Sequence, residues 1–138
     1  MGFRLSWLVE GRVIEGAVVG GIQPGDQPAF DREMNRMLDA GTGEFVHYVT
    51  DASNMDKPAS FNDLRKMTFP RHPRYGRTIV VGNRDPIQRM ISTIAAGVFN
   101  IQVRQVDTMD AALEFLQQVD VTLPDLNAIR APSSPGST

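Results

Sequence analysis

The most informative segment of this sequence is Phe45-Val46-His47-Tyr48-Val49-Thr50. Its apolar side chains fall on both alternating faces, a pattern typical of an inner strand that is covered on both sides. A second apolar segment is Thr78-Ile79-Val80-Val81-Gly82. We therefore predict two buried strands, the first of them in the middle of a sheet.

The chain before this segment predicts a hairpin and a helix. Two extended runs, 3–9 and 12–22, are separated by Glu10-Gly11 and carry β-branched residues on both sides of it. Asp26 is placed to cap the helix that follows. The apolar positions of that helix recur at helical spacing and are Phe30, Met34, Met37 and Leu38.

The chain after the segment predicts a loop over residues 51–58 and then a short helix. Ser60 and Asp63 form the capping-box pattern for that helix. Residues 69–77 contain two prolines and a glycine, so we predict a loop there. Asp85-Pro86 begins the clearest helix. Its predicted core face consists of Ile87, Met90, Ile91, Ile94, Ala95, Val98 and Phe99.

The last ordered elements are an edge strand and a helix. Residues 101–106 alternate in polarity, and Asp107-Thr108 caps a helix with an apolar stripe. The order ββαβαβαβα indicates an α/β fold, with a mainly parallel sheet and an N-terminal β-hairpin as its antiparallel edge. We predict one domain over residues 1–120. Because Pro, Ser and Gly dominate the end of the chain, we expect residues 121–138 to form a mostly disordered C-terminal tail.

The composition of this 138-residue chain excludes several kinds of site. The absence of cysteine excludes thiolate catalysis, disulfides, Cys-ligated zinc and iron–sulfur clusters. Two histidines are too few for a histidine-rich metal site, so we expect no cofactor. Neither a signal peptide nor an apolar run long enough to cross a membrane is present, and we expect a cytoplasmic protein that is not transmembrane.

Charge is segregated along the chain. Residues 1–64 hold five basic and ten acidic side chains, whereas residues 65–104 hold eight basic side chains and one acidic side chain. Twelve of the fourteen basic residues are arginine, which suits bidentate binding of carboxylate or phosphate. The basic segment either binds an acidic partner or pairs with the acidic ends inside the fold. A pI near 5.6 and the lack of a nucleic-acid motif disfavour nucleic acid.

Familiar catalytic and nucleotide-binding motifs are missing from the sequence. The glycines fit neither the dinucleotide fingerprint nor the phosphate loop, and no serine has the frame of a hydrolase nucleophile. His47, within an inner strand, predicts a hydrogen-bonded core histidine. Because His72 lies between Arg71 and Pro73, we predict that it is a solvated loop residue. We therefore expect that the protein is not an enzyme.

Two sets of residues remain as candidate binding sites. Asp51 follows a buried strand, at the edge where α/β sheets place ligands, but we favour a turn role in which it caps Ser53-Asn54. The other set consists of unbranched or aromatic side chains on predicted helix stripes, which either fill the core or surround an apolar ligand such as an acyl chain. Its members are Met34, Met37, Met67, Met90 and Phe99.

The order of elements and several short motifs resemble the STAS domains, and among them the small bacterial SpoIIAA-like proteins related to anti-sigma-factor antagonists. The resemblance spans most of the predicted domain and depends on the order of its motifs. These are Gly20-Gly21-Ile22, Val46 to Ser53 with Met55-Asp56, His72-Pro73-Arg74-Tyr75-Gly76, Val81-Gly82, and Thr108 with Ala111 to Leu116.

The resemblance implies a non-enzymatic regulatory domain that binds a partner protein through the loop and helix after the third strand. In anti-sigma-factor antagonists this helix begins with Asp-Ser-Ser-Gly, and a serine there is phosphorylated. Asp56 matches the aspartate, but Lys57, Pro58 and Ala59 replace the residues that follow it. The resemblance therefore carries over the contact region without the usual serine at the phosphorylated position. Ser53 and Ser60 are nearby alternatives for that role, although any small loop contains such serines.

Two functions from different classes follow. The first is a partner-binding module, whose partner is a protein and possesses acidic groups. Its predicted contact residues are Asp51, Ser53, Asp56, Lys57, Ser60, Arg65, Arg71 and Arg74. The second is a carrier or sensor of an apolar small molecule or lipid, since SpoIIAA-like proteins are similar in fold to lipid-carrying CRAL-TRIO domains. An exposed sheet edge or the hairpin also allows a homodimer.

Overall fold

A mixed sheet of five strands forms the centre of the protein. The structure is a computed structural model, and it describes residues 3–18, 26–53, 65–82, 86–124 and 126. The strands are β1 (Phe3–Val9), β2 (Val13–Val18), β3 (Val46–Asp51), β4 (Tyr75–Val81) and β5 (Val103–Val106). The described helices are α1 (Gln27–Ala40), α2 (Pro86–Phe99), α3 (Met109–Val119) and a 3-10 turn over Phe69–Arg71.

The strands lie side by side in the order in which they occur in the chain. β1 and β2 form an antiparallel hairpin at one edge, and each later pair of neighbours is parallel. The predicted α/β class, the antiparallel edge and the central position of β3 are confirmed. β5 lies at the other edge, as the alternating pattern of residues 101–106 predicts.

One face of the sheet is covered by α1 and the 3-10 turn. Phe30, Met34 and Leu38 of α1 are buried against Ile14 and Tyr48 of the sheet. Removing one such side chain from water contributes about 1.5–3 kcal/mol to the free energy of unfolding. The predicted stripe of α1 is therefore its core face.

The opposite face is covered by α3. Side chains alternate between the two faces along each strand, so Ile14 and Tyr48 on the first face have neighbours that point to this one. The strand residues on this face include Val13, Val49 and Ile79. They pack against Leu113 and Leu116 of α3. Thr108 caps α3 as predicted, since its Oγ1 accepts a hydrogen bond from Ala111 N at 3.1 Å. The packing continues past the predicted domain end at residue 120. Two further buried side chains there are Leu123 and Leu126.

The loop predicted over residues 69–77 is wrong in two places. Residues 69–71 form the 3-10 turn, and β4 begins at Tyr75 instead of Thr78. The turn is held by Asp31, which accepts hydrogen bonds from Thr68 N at 2.8 Å and from Phe69 N at 2.9 Å. Asp31 belongs to α1, so no local pattern in residues 69–77 indicates this anchor.

The predicted core face of α2 is wrong for three of its members. Met90, Ile94 and Val98 are 57%, 48% and 47% exposed, whereas Phe99 is buried. The periodicity of the sequence identifies an apolar stripe but not the surface that covers it. Here β5, the strand that follows α2, has only four residues and lies at the sheet edge.

Other predicted features fall outside the described residues. The predicted second strand extends to residue 22, and the structure describes it as far as Val18. The helix predicted from Ser60 is described only at residues 65 and 66, which are helical. Asp26 stands at the N-cap position of α1 as predicted, but its side chain makes no capping hydrogen bond. The caps and loops predicted in the segments that the structure does not describe stay predictions.

Candidate functional site

The chain forms a hydrogen-bonded turn at the carboxyl end of β3. The Asp51 Oδ1 atom accepts hydrogen bonds from Ser53 N at 3.0 Å and from Ser53 Oγ at 2.5 Å. Ala52 N donates to Val81 O at 2.9 Å, which ties the turn to the end of β4. The turn role predicted for Asp51 is confirmed for its contacts with Ser53. The side chain of Ser53 is exposed at this edge.

Two of the predicted contact residues, Arg71 and Arg74, do not lie at this edge. Asp56, Lys57 and Ser60 lie outside the described residues. Arg71 and Arg74 precede β4 and therefore lie at its amino end, whereas Asp51 pairs with Val81 at its carboxyl end. The length of β4 separates the two groups by about 20 Å.

The predicted arginines also differ in how they are engaged. Arg65 is exposed, and the Arg71 guanidinium lies 4.6 Å from the centre of the Phe99 ring. The Arg74 guanidinium donates a hydrogen bond to Gly41 O at the end of α1. Arg74 thus contributes to the fold, while Arg65 and Arg71 lie on the surface.

A cleft of about 920 Å³ opens at the amino ends of β3, β4 and β5. The segments that precede these strands line it, together with Arg12 and the chain that follows α3. Its charged and ring-bearing side chains are Arg12, Arg71, Arg77, His47, His72, Glu44, Asp120, Phe45, Tyr75 and Phe99. α/β sheets usually bind ligands at the carboxyl ends of their strands, where the sequence analysis placed Asp51. This cleft lies at the opposite edge.

His47 is held at both ring nitrogens. Arg77 N donates a hydrogen bond to Nδ1 at 3.0 Å, which places the ring proton on Nε2, and Nε2 donates to Asp120 Oδ2 at 2.8 Å. The ring packs closely against Gly76, where a Cβ atom would lie 2.5 Å from Nδ1. The predicted hydrogen-bonded core histidine is confirmed.

His72 has the same arrangement, which corrects the prediction of a solvated residue. Arg74 N donates to Nδ1 at 3.0 Å, and Nε2 lies 2.7 Å from Asp39 Oδ1. Most of the His72 side chain is buried. Asp39 is far from His72 in sequence, so the prediction rested on local neighbours alone.

Asp120 connects the end of α3 to the start of the sheet. Its Oδ1 accepts a hydrogen bond from Thr122 N at 3.0 Å, and its Oδ2 lies 3.3 Å from the Arg12 guanidinium. Burial raises the pKa of Asp120, but hydrogen bonds from Thr122 and His47 outweigh burial and lower the pKa to about 2. Asp120 is therefore ionised at neutral pH.

Tyr75 is a poor candidate for proton transfer even though it lines the cleft. Its hydroxyl is buried and pairs with Thr78 Oγ1 at 2.5 Å. Burial raises the pKa of Tyr75 well above its usual range. The hydroxyl is therefore neutral at physiological pH.

The residues predicted for an apolar pocket are dispersed. Met34, Met37 and Met67 are buried in the core beneath α1, and Met90 is exposed on α2. Of this set, Phe99 is the member that lines the described cleft. The carrier hypothesis stays a prediction, and a lower melting temperature after removal of bound lipid would support it.

Neither a metal nor a membrane span is indicated in the described part of the chain. No group of three or more His, Cys, Asp or Glu side chains within it is placed to hold a metal ion. None of its helices is both long enough and apolar enough to cross a bilayer. Among known proteins, no family model and no curated sequence matches this chain.

Proposed function

We propose that the protein is a non-enzymatic regulatory or interaction module of STAS-like topology that binds an acidic protein partner. The contact surface combines the loop and helix after β3 with the exposed stripe of α2. We define this stripe as Met90, Ile94 and Val98. The antiparallel hairpin at the edge of a parallel sheet supports the STAS-like topology.

The exposed stripe is the observation that carries this proposal. Met90, Ile94 and Val98 follow one another at intervals of four residues, so they form one row along the helix. A contiguous apolar row on the surface marks an interaction site more often than scattered apolar residues do. A protein partner that covers the row removes it from water.

The position of α2 links the stripe to the predicted contact region. α2 connects β4 to β5, and the chain between β3 and β4 includes the helical residues 65 and 66. Because crossovers between adjacent parallel strands are right-handed, we expect the connection from β3 to β4 to lie on the same face of the sheet as α2. The contact of Arg71 with Phe99 joins the two connections at their ends.

The charge of this region favours an acidic partner. Residues 65–104, which contain α2, carry eight basic side chains and one acidic side chain. Arginine at the rim of an apolar contact steers acidic partners and fixes their orientation. The described histidines support a role without catalysis, because each ring accepts a backbone N–H and faces a carboxylate, which leaves no free base.

The test compares the full chain with matched variants. Ile94→Ser and Val98→Ser each shorten the exposed stripe, and Val121→Ser makes the same change at an exposed position outside it. Asp56→Arg reverses the charge in the loop after β3. A candidate partner is captured by cross-linking in cells, purified, and titrated against each variant by calorimetry at low and high salt.

We expect both stripe variants to weaken binding about tenfold or more, with Val121→Ser unchanged. For an acidic partner, Asp56→Arg should strengthen binding and increase its salt dependence, because it adds positive charge to the proposed contact loop. Higher salt should reduce the affinity of an acidic partner. Equal binding by all variants overturns the proposal. A wild-type dimer in sedimentation that Ile94→Ser dissociates also overturns it, because a second copy would then occupy the stripe.

A further inference from the structure

The cleft at the amino ends of the strands contains two arginines that approach it from opposite faces of the sheet. Arg71 lies against Phe99, on the side covered by α1. The Arg77 guanidinium lies 5.9 Å from the centre of the Phe115 ring, which belongs to α3 on the other side. Both arginines line the cleft.

These two guanidinium groups have unused hydrogen-bonding capacity. Arg77 donates to the neutral side chain of Gln102, and the described contact of the Arg71 guanidinium is with a ring face. A guanidinium that stacks on a ring keeps its N–H groups free at its edge for bidentate binding. Within the described ranges, neither guanidinium pairs with a carboxylate.

The other charged groups of the cleft leave it with a positive balance. Arg12 donates to Asp120 and to Thr122 Oγ1, so the charges of Arg12 and Asp120 offset each other. The rings of His47 and His72 each accept a hydrogen bond, as neutral imidazole does. The remaining charged side chains of the lining are Arg71, Arg77 and Glu44, so one added negative charge balances the cleft.

The cleft also contains apolar surface. Phe45 precedes β3 and is 42% exposed, and Phe99 and Ile101 also belong to the lining. A cleft whose lining combines an exposed aromatic ring with guanidinium groups suits a ligand that has both a flat or aliphatic body and an anionic group. The volume of about 920 Å³ is within the range of small-molecule sites.

We infer that this cleft binds a small organic anion, namely a carboxylate or phosphate monoester with an apolar body, through Arg71, Arg77 and Phe45. The anionic group binds the free N–H edges of these guanidinium groups, and the body packs on the apolar part of the lining that includes Phe45. This site is separate from the stripe of α2 and does not depend on the proposed protein partner.

Titration of the ¹⁵N-labelled full chain, followed by amide chemical shifts, tests the inference. The probes are phenyl phosphate, benzoate, inorganic phosphate and the neutral analogue benzyl alcohol. We expect saturable shifts from phenyl phosphate or benzoate at Gly76, Gln102 and Phe45, with weaker binding of inorganic phosphate and weakest binding of benzyl alcohol. The same spectra show whether each variant is folded.

Arg71→Gln and Arg77→Gln should each weaken the binding of the aromatic anions about tenfold, because each removes a charge-assisted contact. The matched control is Arg104→Gln, since Arg104 lies 4.9 Å from the same Phe115 ring but outside the cleft lining. Phe45→Ala should weaken aromatic anions and leave inorganic phosphate unchanged.

Three outcomes overturn the inference. The first is the absence of saturable shifts with either aromatic anion. The second is an equal loss of affinity in Arg104→Gln and Arg77→Gln, which indicates a general charge effect. The third is a set of shifts confined to α2, which places the probe on the exposed stripe. None of these outcomes bears on the affinity of the protein partner.

Discussion

Helices α1 and α2 have the same length and both carry an apolar stripe, yet they differ in what covers that stripe. Phe30, Met34 and Leu38 of α1 are buried in the core, whereas the stripe of α2 is about half exposed. α1 connects β2 to the central strand β3, so a broad sheet lies beneath it. α2 leads to the short edge strand β5. The difference shows that a stripe becomes core only where the sheet extends beneath it.

Truncation of one residue in each helix gives the largest expected contrast. Met34→Ala should lower the free energy of unfolding by about 2–5 kcal/mol, because it opens a cavity at a fully buried site. Ile94→Ala, on the stripe of α2, should change it by less than about 1 kcal/mol. Urea unfolding of both variants and the wild type measures the difference. Equal losses would show that α2 is as well covered as α1.

The dependence of stability on pH tests the hydrogen bonds that Asp120, at the end of α3, accepts from Thr122 and His47. A pKa of about 2 in the folded protein, below the ordinary 3.8, stabilises the fold above pH 4 by about 2 kcal/mol. This stability should disappear as pH falls from about 4 to about 2. Asp120→Asn should lower stability at neutral pH and flatten this part of the profile. Denaturant unfolding at several pH values measures it.

The contact between His72 and the exposed Asp39 provides the control for this titration. Asp39, the partner of His72, is 75% exposed, so water already solvates its carboxylate. We expect Asp39→Asn to retain the acid dependence of the wild type. If Asp39→Asn flattens the profile as much as Asp120→Asn, the hydrogen bonds from Thr122 and His47 to Asp120 are not the cause of the acid dependence.

Substitution of the N-cap residue of α3 tests a smaller contribution to the free energy of unfolding. Thr108→Ala removes the hydrogen bond to Ala111 N and should cost about 1 kcal/mol. Thr108→Ser keeps the hydroxyl and should restore most of the loss. Thermal or urea unfolding measures both variants, and a serine variant as unstable as the alanine variant would contradict a capping role.

Polar substitution of the α2 stripe should have the smallest effect on folding and the clearest effect on binding. We expect Ile94→Ser and Val98→Ser to change the free energy of unfolding by about 0.5 kcal/mol or less, because both side chains are half exposed in the fold. Circular dichroism during urea unfolding checks this. A loss comparable to that of Met34→Ala would falsify the assignment of these residues to a free surface.

Local patterns in the sequence predict the elements of the fold well. The alternation in β3, the spacing of the α1 stripe and the cap at Thr108 each depend on neighbours within a few residues. The predicted order of strands, with the antiparallel hairpin at one edge, follows from short connections and right-handed crossovers. These features need no information about distant parts of the chain.

The candidate sites depend on contacts that local patterns do not contain. His72 pairs with Asp39, and His47 pairs with Asp120, across 33 and 73 residues of sequence. The cleft combines Arg12 with segments that precede three different strands. The sequence indicates arginines and histidines in these segments, but it does not indicate that parallel strands bring their amino ends together around one cleft.

The sequence by itself determined the α/β class, the central strand and the apolar face of each described helix. These features follow from the spacing of apolar residues within one or two helical turns, or from their alternation along a single strand. Only the tertiary structure decided that the stripe of α1 is core and the stripe of α2 is surface. It also separated Asp51 from Arg71 by the length of a strand. The physical reason is that burial and proximity depend on which elements pack together, and long-range packing has no local period.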